Sequence, residues 1–268
     1  MSSYFFIVVI LSIIFGLVSS ILMVVAVAAD FWEVIVFNKD RFSSMSNILM
    51  DQSFFDENNG FYKIVLSEYI EGNLTTNTLY LRDMHGGIWK ICDRVKESFK
   101  KTDLYKAALA ETNYLKYDCF DYIHQLEDRQ HTLDDNGKYL IRMQNSASSC
   151  NIVCLMCLLT AAITGTFSLI QKQVTAVMVT GVMYIVAAVF LCFALVIMQT
   201  KIRYMKEDCY TLDPMGLSLE SEVCKARKVS LGWCISAAWS SFPLLLLAFI
   251  FWLFLARYLR AEKAKSII

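Results

Sequence analysis

The sequence predicts an α-helical membrane fold: a left-handed four-helix transmembrane bundle carrying a small antiparallel extracellular β-sheet. Three observations lead there. Four stretches, Met1–Ala29, Met143–Gln171, Gln173–Thr200 and Val229–Ala256, contain no Asp, Glu, Lys, Arg or His. Each exceeds the roughly 20 apolar residues that a bilayer crossing takes, and in hydrocarbon every backbone group must pair within its own segment, so each should be a helix. Most of the charge is concentrated in segments 30–142 and 201–228. Those two segments also hold four of the nine cysteines and the sole N-glycosylation sequon.

The chain then reads as one tetraspan domain. Spans are predicted at 4–29, 148–171, 174–199 and 229–256, with extracellular loops at 30–147 and 200–228, a cytosolic turn at 172–173 and a cytosolic tail at 257–268. Orientation follows from the tail, where Arg257, Arg260, Lys263 and Lys265 face a single acid, Glu262. Short basic segments stay in the cytosol, whereas a long loop can translocate despite its charges. Both termini are expected in the cytosol and the protein in the plasma membrane, though loops facing an internal lumen would look the same. Ala26-Val27-Ala28 would serve as a signal-peptidase site. However, Met1-Ser2-Ser3 has no basic residue and the apolar run is longer than a signal core, so the first span is expected to be retained.

In the spans, small residues recur at four-residue spacing: Ser12, Gly16 and Ser20, then Cys157, Ala161 and Gly165, then Ala176 and Thr180 beside Gly181. Such faces let membrane helices approach closely, here within one bundle. Pro243 should kink or tilt the fourth helix. Cys154-Leu155-Met156-Cys157 has the spacing of a redox or zinc pair, but in an apolar helix it reads as inert packing.

The first loop has its own pattern. Trp32–Phe37 alternates as a strand, with Trp32, Val34 and Val36 on one side. A polar stretch, 38–60, reads as an insertion or crossover. Strands follow at 61–66 and Thr78–Arg82, the latter ending in a Gly86-Gly87 turn. Asp103–Leu115 reads as a helix capped by Thr102, and Cys119–Leu126 as a last strand. Asn73-Leu74-Thr75 makes Asn73 the glycosylation candidate. The disulfide candidates are Cys92, Cys119, Cys209 and Cys224. One bridge per loop, Cys92–Cys119 and Cys209–Cys224, is the simplest of three possible pairings.

No Gly-rich phosphate loop, zinc-protease helix or nucleophile elbow is present, and no cofactor is implied. His85, His124 and His131 fall among the acids of the first loop and read as surface residues rather than metal ligands. A formal net charge of zero gives no surface for nucleic acid. Apart from Tyr and Cys the predicted spans hold no ionisable group, which argues against a pump, a transporter or a pore along the bundle axis. The expectation is a non-catalytic membrane protein.

The sharpest local pattern is Trp32, then Gly87-Ile88-Trp89 with Cys92, then Cys119. It resembles the Trp…Gly-Leu-Trp-x-x-Cys…Cys signature in the first extracellular loop of the claudin superfamily, with Ile88 in place of the usual leucine. That superfamily includes claudins, peripheral myelin and epithelial membrane proteins, calcium-channel gamma subunits and AMPA-receptor regulatory proteins. Arg142 matches a basic residue the family often has before the second span. Gly232-Trp233-Cys234…Ala238-Trp239 resembles a segment of the gamma-type branch. The gap from Trp32 to Gly87 is 54 residues and that between the cysteines 26, both longer than in claudins and closer to the gamma-type regulators. A second-loop cysteine pair marks neither branch.

The resemblance implies an auxiliary subunit that packs against an ion channel or receptor and modulates its gating or trafficking. The alternative is a cell-junction or adhesion protein built from like subunits. The final Ser266-Ile267-Ile268 suits a PDZ scaffold, since its carboxylate fits a backbone nest. The remaining expected partners are membrane lipids, met by the basic tail.

Overall fold

The computed structural model describes residues 3–38, 48–50, 60–70, 73–111, 118–122, 135–207, 223 and 226–265. The chain's contacts gather into two compact units. The first comprises Met1–Ala29, Ser146–Gln199 and Trp233–Ile268, and the second Asp30–Asn145 and Thr200–Gly232.

Among the described residues four helices are long and apolar enough to cross a membrane. They are α1 (Ser3–Ala28), α4 (Asp135–Gln171), α5 (Val174–Glu207) and α6 (Trp233–Lys265). The first turns of α4 and the last turns of α5 belong to the second unit. Within the first unit the small residues do what their spacing implies. A Cβ at Gly16 would collide with the hydroxyl of Tyr184, and one at Gly165 would touch Thr180 and Trp252 at 3.3 Å. Phe15 stacks on Phe251 at 5.4 Å, and Ser241 Oγ donates to the Ser19 carbonyl at 3.0 Å. The opposite faces, with Ile7, Leu17, Ile163, Phe193 and Phe254, are exposed as lipid-facing surface would be. Helix α6 continues through Pro243.

The helix ends do not coincide with the predicted span ends. Helix α4 begins at Asp135 rather than at 148, and α5 runs to Glu207 rather than 199, because helix outlasts the apolar stretch at both ends. Residues 229–231 are not span at all. Arg227–Leu231 forms a strand, and the helix starts only at Trp233. Gly232 marks the break: any Cβ there would collide with the backbone carbonyl of Phe31.

Among the described residues the second unit holds two antiparallel sheets, where one is expected. The five-stranded sheet runs β7 (Cys119–Asp121), β6 (Lys90–Asp93), β5 (Met84–Gly86), β1 (Glu33–Phe37), β8 (Arg227–Leu231). The three-stranded sheet runs β2 (Ile48–Met50), β3 (Phe61–Ile70), β4 (Asn73–Arg82). Strands β3 and β4 are paired over their whole length, from Phe61 opposite Arg82 to Ile70 opposite Asn73. Both outrun the predicted 61–66 and 78–82. Two helices follow β6: α2 (Glu97–Lys100) and α3 (Asp103–Glu111). Thr102 caps α3, its Oγ1 accepting the Tyr105 N–H at 3.4 Å. Phe61, Tyr80, Val95, Tyr105 and Ala108 close a core against Phe99. Of the polar stretch 38–60, residues 48–50 form β2; the parts 39–47 and 51–59 lie outside the described residues, as do 112–115 of the predicted helix and 123–126 of the predicted last strand.

Candidate functional site

The Trp32, Gly87-Ile88-Trp89, Cys92 and Cys119 positions converge on the five-stranded sheet. The Trp32 N–H donates to the Gly86 carbonyl at 2.7 Å, and the Gly232 N–H donates to the Trp32 carbonyl at 2.8 Å. Trp32 is fully buried. The Gly87 N–H closes the β5–β6 turn on the Lys90 carbonyl, and the Trp89 carbonyl accepts the Tyr122 N–H. Cys92 lies opposite Cys119 in the β6–β7 register and is bonded to it. Closing a 27-residue separation removes roughly 3–4 kcal/mol of unfolded-state chain entropy in the loop-closure picture.

Both glycines of the turn have ordinary negative φ, so conformational freedom is not their reason. A Cβ on Gly86 would lie 2.6 Å from Glu33 Oε1, and one on Gly87 2.6 Å from Asp30 Oδ1 and 2.8 Å from Asp30 Cα. Each glycine makes room for an acidic residue. Asp30 then reaches Lys90 at 3.1 Å near the surface.

Glu33 is the centre of the arrangement. Its Oε1 accepts from Lys201 Nζ at 2.9 Å and from the Tyr122 hydroxyl at 3.1 Å. Lys201 Nζ also donates to Gln144 Oε1 at 2.8 Å and lies 5.1 Å from the Tyr122 ring. Gln144 Nε2 donates to the carbonyls of Gly87 and Ile88, at 3.1 and 2.7 Å. The Lys201 and Glu33 side chains are 3% and 0% exposed. A buried pair survives only with good geometry and further hydrogen bonds, which Tyr122 and Gln144 supply. The network therefore runs from β1 through α5 and α4 to the turn that carries Trp89.

A family model of PMP-22/EMP/MP20/claudin tight-junction proteins matches residues 17–255. The chain belongs to this family. It is a multi-pass membrane protein, and membership supports a non-catalytic one. No curated protein matches the chain at a significant level.

In this claudin-family chain the signature residues have separate neighbours. Trp32 is core, Trp89 is half-buried, and Arg142 is exposed on α4, two residues from the buried Gln144. The buried face of β1 carries Glu33, Ile35 and Phe37, with Val34 and Val36 half-buried. Trp32, Val34 and Val36 share one side by alternation, and the Glu33 carboxylate lies on the other. Neither Glu33, Lys201 nor Gln144 was singled out. The available signals were an acid within an alternating strand and a lysine that is the first charge after the stretch 173–200.

A second charged cluster fastens the two-helix segment. Arg82 Nη1 bonds Asp93 at 3.1 Å, and Lys100 Nζ bonds Asp93 and Asp118 at 3.0 Å each. Burial works against the charge on Lys100, but the bonds to Asp118 and Asp93 outweigh it and hold the ammonium above the ordinary lysine value. Asp83 joins the sheets: its carboxylate accepts the Phe37 N–H and the Tyr62 hydroxyl, and its N–H donates to the Gly60 carbonyl. Gly60, at φ 65°, has the left-handed conformation that glycine tolerates.

His85 stacks on Phe31 at 4.4 Å. Among the described residues no group of His, Cys, Asp and Glu is placed to hold a metal ion. Cys154 and Cys157 are buried in the bundle as free thiols. Asn73 is the first residue of β4 and lies opposite Ile70 in the β3–β4 register. His124, His131, Cys209, Cys224, Ser266, Ile267 and Ile268 lie outside the described residues.

Proposed function

We propose that this claudin-family protein is an auxiliary subunit of an ion channel or receptor, and that the β3–β4 hairpin is its main contact with the partner. The observation that carries the reading is the three-stranded sheet inserted between β1 and the Gly86-Gly87 turn. Its two long strands have ten residues each, against about 5–6 for an ordinary strand. The network of Glu33 and the Cys92–Cys119 bridge supply a rigid base for it. Modulation needs only that the hairpin bind one state of the partner better than another. On this reading the second unit is extracellular, both termini are cytosolic, Asn73 carries a glycan, and Ser266-Ile267-Ile268 engages a PDZ scaffold.

The test is purification in mild detergent and identification of what co-elutes. Stoichiometric recovery of a channel or receptor is expected from the wild type. It should be lost when 66–77 is replaced by a short Asn-Gly turn, with the Cys92–Cys119 bridge retained. Homo-oligomers concentrated at cell borders would overturn the reading in favour of a junction protein. That second reading draws support from the tight-junction description of the matching family. Topology is checked separately: glycosidase should shift the mobility of the wild type and not of Asn73→Gln.

A further inference from the structure

We propose that the bundle binds one anionic phospholipid in a groove between α5 and α6, with an acyl chain along Ile250, Leu253 and Phe254 and the headgroup phosphate on Arg257 and Arg260. The groove has a volume of about 460 Å³ and is closed on the α5 side by Met178. That is within the range of small-ligand sites, roughly 300–1,000 Å³.

Its chemistry is graded along its length. Ile250, Leu253, Phe254 and Arg257 follow the i, i+3, i+4, i+7 spacing of one face of α6. The apolar members lie toward the middle of the helix, and the two arginines close the end. Ile250 and Phe254 are 42% and 56% exposed, open to whatever surrounds the bundle. Neither guanidinium has a carboxylate partner among the described residues. Arg260 Nη2 instead rests 2.7 Å from Met178 Sδ. A thioether is a weak acceptor, a poor partner for a group with five donors. The guanidinium fork matches a phosphate bidentately.

Two cations with no carboxylate partner among the described residues, at the mouth of an apolar groove, select a ligand with a negative head and an apolar tail. A free phosphate would leave the apolar part unused, and an apolar helix from a second copy would leave the arginines unpaired. The proposal does not depend on the auxiliary-subunit reading.

The experiment is native mass spectrometry of the full chain in mild detergent with equimolar phosphatidylcholine and phosphatidylserine. One retained phosphatidylserine is expected. Each basic residue near an anionic headgroup contributes roughly fivefold, so Arg257→Gln with Arg260→Gln should lower its occupancy about thirtyfold. Lys263→Gln with Lys265→Gln removes the same charge outside the groove and should leave occupancy nearly unchanged. An equal loss from the lysine pair would reduce the site to diffuse attraction by the tail and overturn the proposal. Leu253→Trp, with both arginines intact, should also expel the lipid. Binding of glycerophosphoserine as tight as that of the diacyl lipid would overturn the acyl-chain assignment. A dimer that Leu253→Trp dissociates, with no lipid adduct in either protein, would assign the groove to a second copy. A monodisperse elution profile for each variant confirms folding.

Discussion

The two units of this protein pair their polar side chains in different ways. In the bundle most of the described hydroxyl bonds turn back on their own helix; Ser241 to Ser19 and Thr180 to Thr164 are the exceptions. Ser12 donates to Val8, Ser20 to Gly16, Thr160 to Met156, Thr166 to Ala162 and Ser240 to Ser236, each four residues earlier. In the second unit the partners are far apart in the chain. Lys201 reaches Glu33 across 168 residues, Tyr122 reaches Glu33 across 89, and Gln144 reaches Gly87 across 57. A local bond forms with the helix and disappears with it, so it adds little to tertiary stability. A distant charged pair forms only when the whole unit closes, and breaking one half leaves a desolvated charge behind.

The largest effect should therefore come from Lys201→Met, which leaves the Glu33 carboxylate buried without a counter-ion. Glu33 Oε2 is already buried without a hydrogen-bond partner, so of the described donors only the neutral Tyr122 hydroxyl, on Oε1, would remain to the carboxylate. A loss of about 3–5 kcal/mol is expected, read as lowered thermal stability of the purified protein in detergent. Adding Glu33→Gln to Lys201→Met should recover most of it. A double variant no better than the single one would mean that Lys201 acts through packing and not through charge.

Next is Gly86→Ala, where the new methyl meets the Glu33 carboxylate at 2.6 Å. The φ is ordinary, so the penalty is steric, about 1–3 kcal/mol as for other overpacked sites. Gly181 in the bundle is the control. Its nearest neighbour, Trp252 Cβ, lies 3.4 Å from an added Cβ, an ordinary contact, and alanine favours helix. Gly181→Ala should leave stability unchanged or raise it. Equal penalties at the two glycines would erase the contrast between the units.

Smaller still is Ser241→Ala, which removes a bond between two helices of the bundle. Such bonds average about 0.6 kcal/mol in membrane proteins. A loss above about 2 kcal/mol would show that the bundle, too, relies on non-local polar contacts.

The same contrast explains what was legible in the sequence. The four spans, the packing faces and the Thr102 cap are local patterns with a period or a fixed offset, and they were readable. So were β1, and β3 and β4 in part, from alternation. Alternation marks two faces of β1 and does not say which is covered; the covered one carries Glu33, Ile35 and Phe37. Glu33 made its own face look solvent-exposed until Lys201, 168 positions later, was known to neutralise it. Strand β8 was hidden for a related reason: Val229, Ser230 and Leu231 merge with the uncharged run that follows, and only pairing with β1 reveals them. The Gly86-Gly87 turn was recognised, but its reason was not. Nothing in the sequence says that each glycine faces an acid more than fifty residues earlier.

The smallest expected effect is a pH dependence at His85, and its sign follows from the surroundings. Burial lowers the imidazole pKa below its ordinary 6.5, and the charge on Arg94 lowers it further. Lys90 acts the same way, while Asp30 and Asp93 oppose them. Its buried Nδ1 has no hydrogen-bond partner to hold a proton. The folded chain thus keeps His85 neutral at a pH where the unfolded chain protonates it. That contribution is complete above pH 6.5, falls as the pH drops below it, and is gone once the folded pKa is passed. Thermal stability followed from pH 7.5 to 5.5 should decline by less than the roughly 1.4 kcal/mol per pH unit that one proton allows. His85→Phe can still pack against Phe31, so its decline should be shallower than that of the wild type. Parallel curves for the two proteins would assign the pH dependence to other groups, and His85 would then serve only as a ring packed on Phe31.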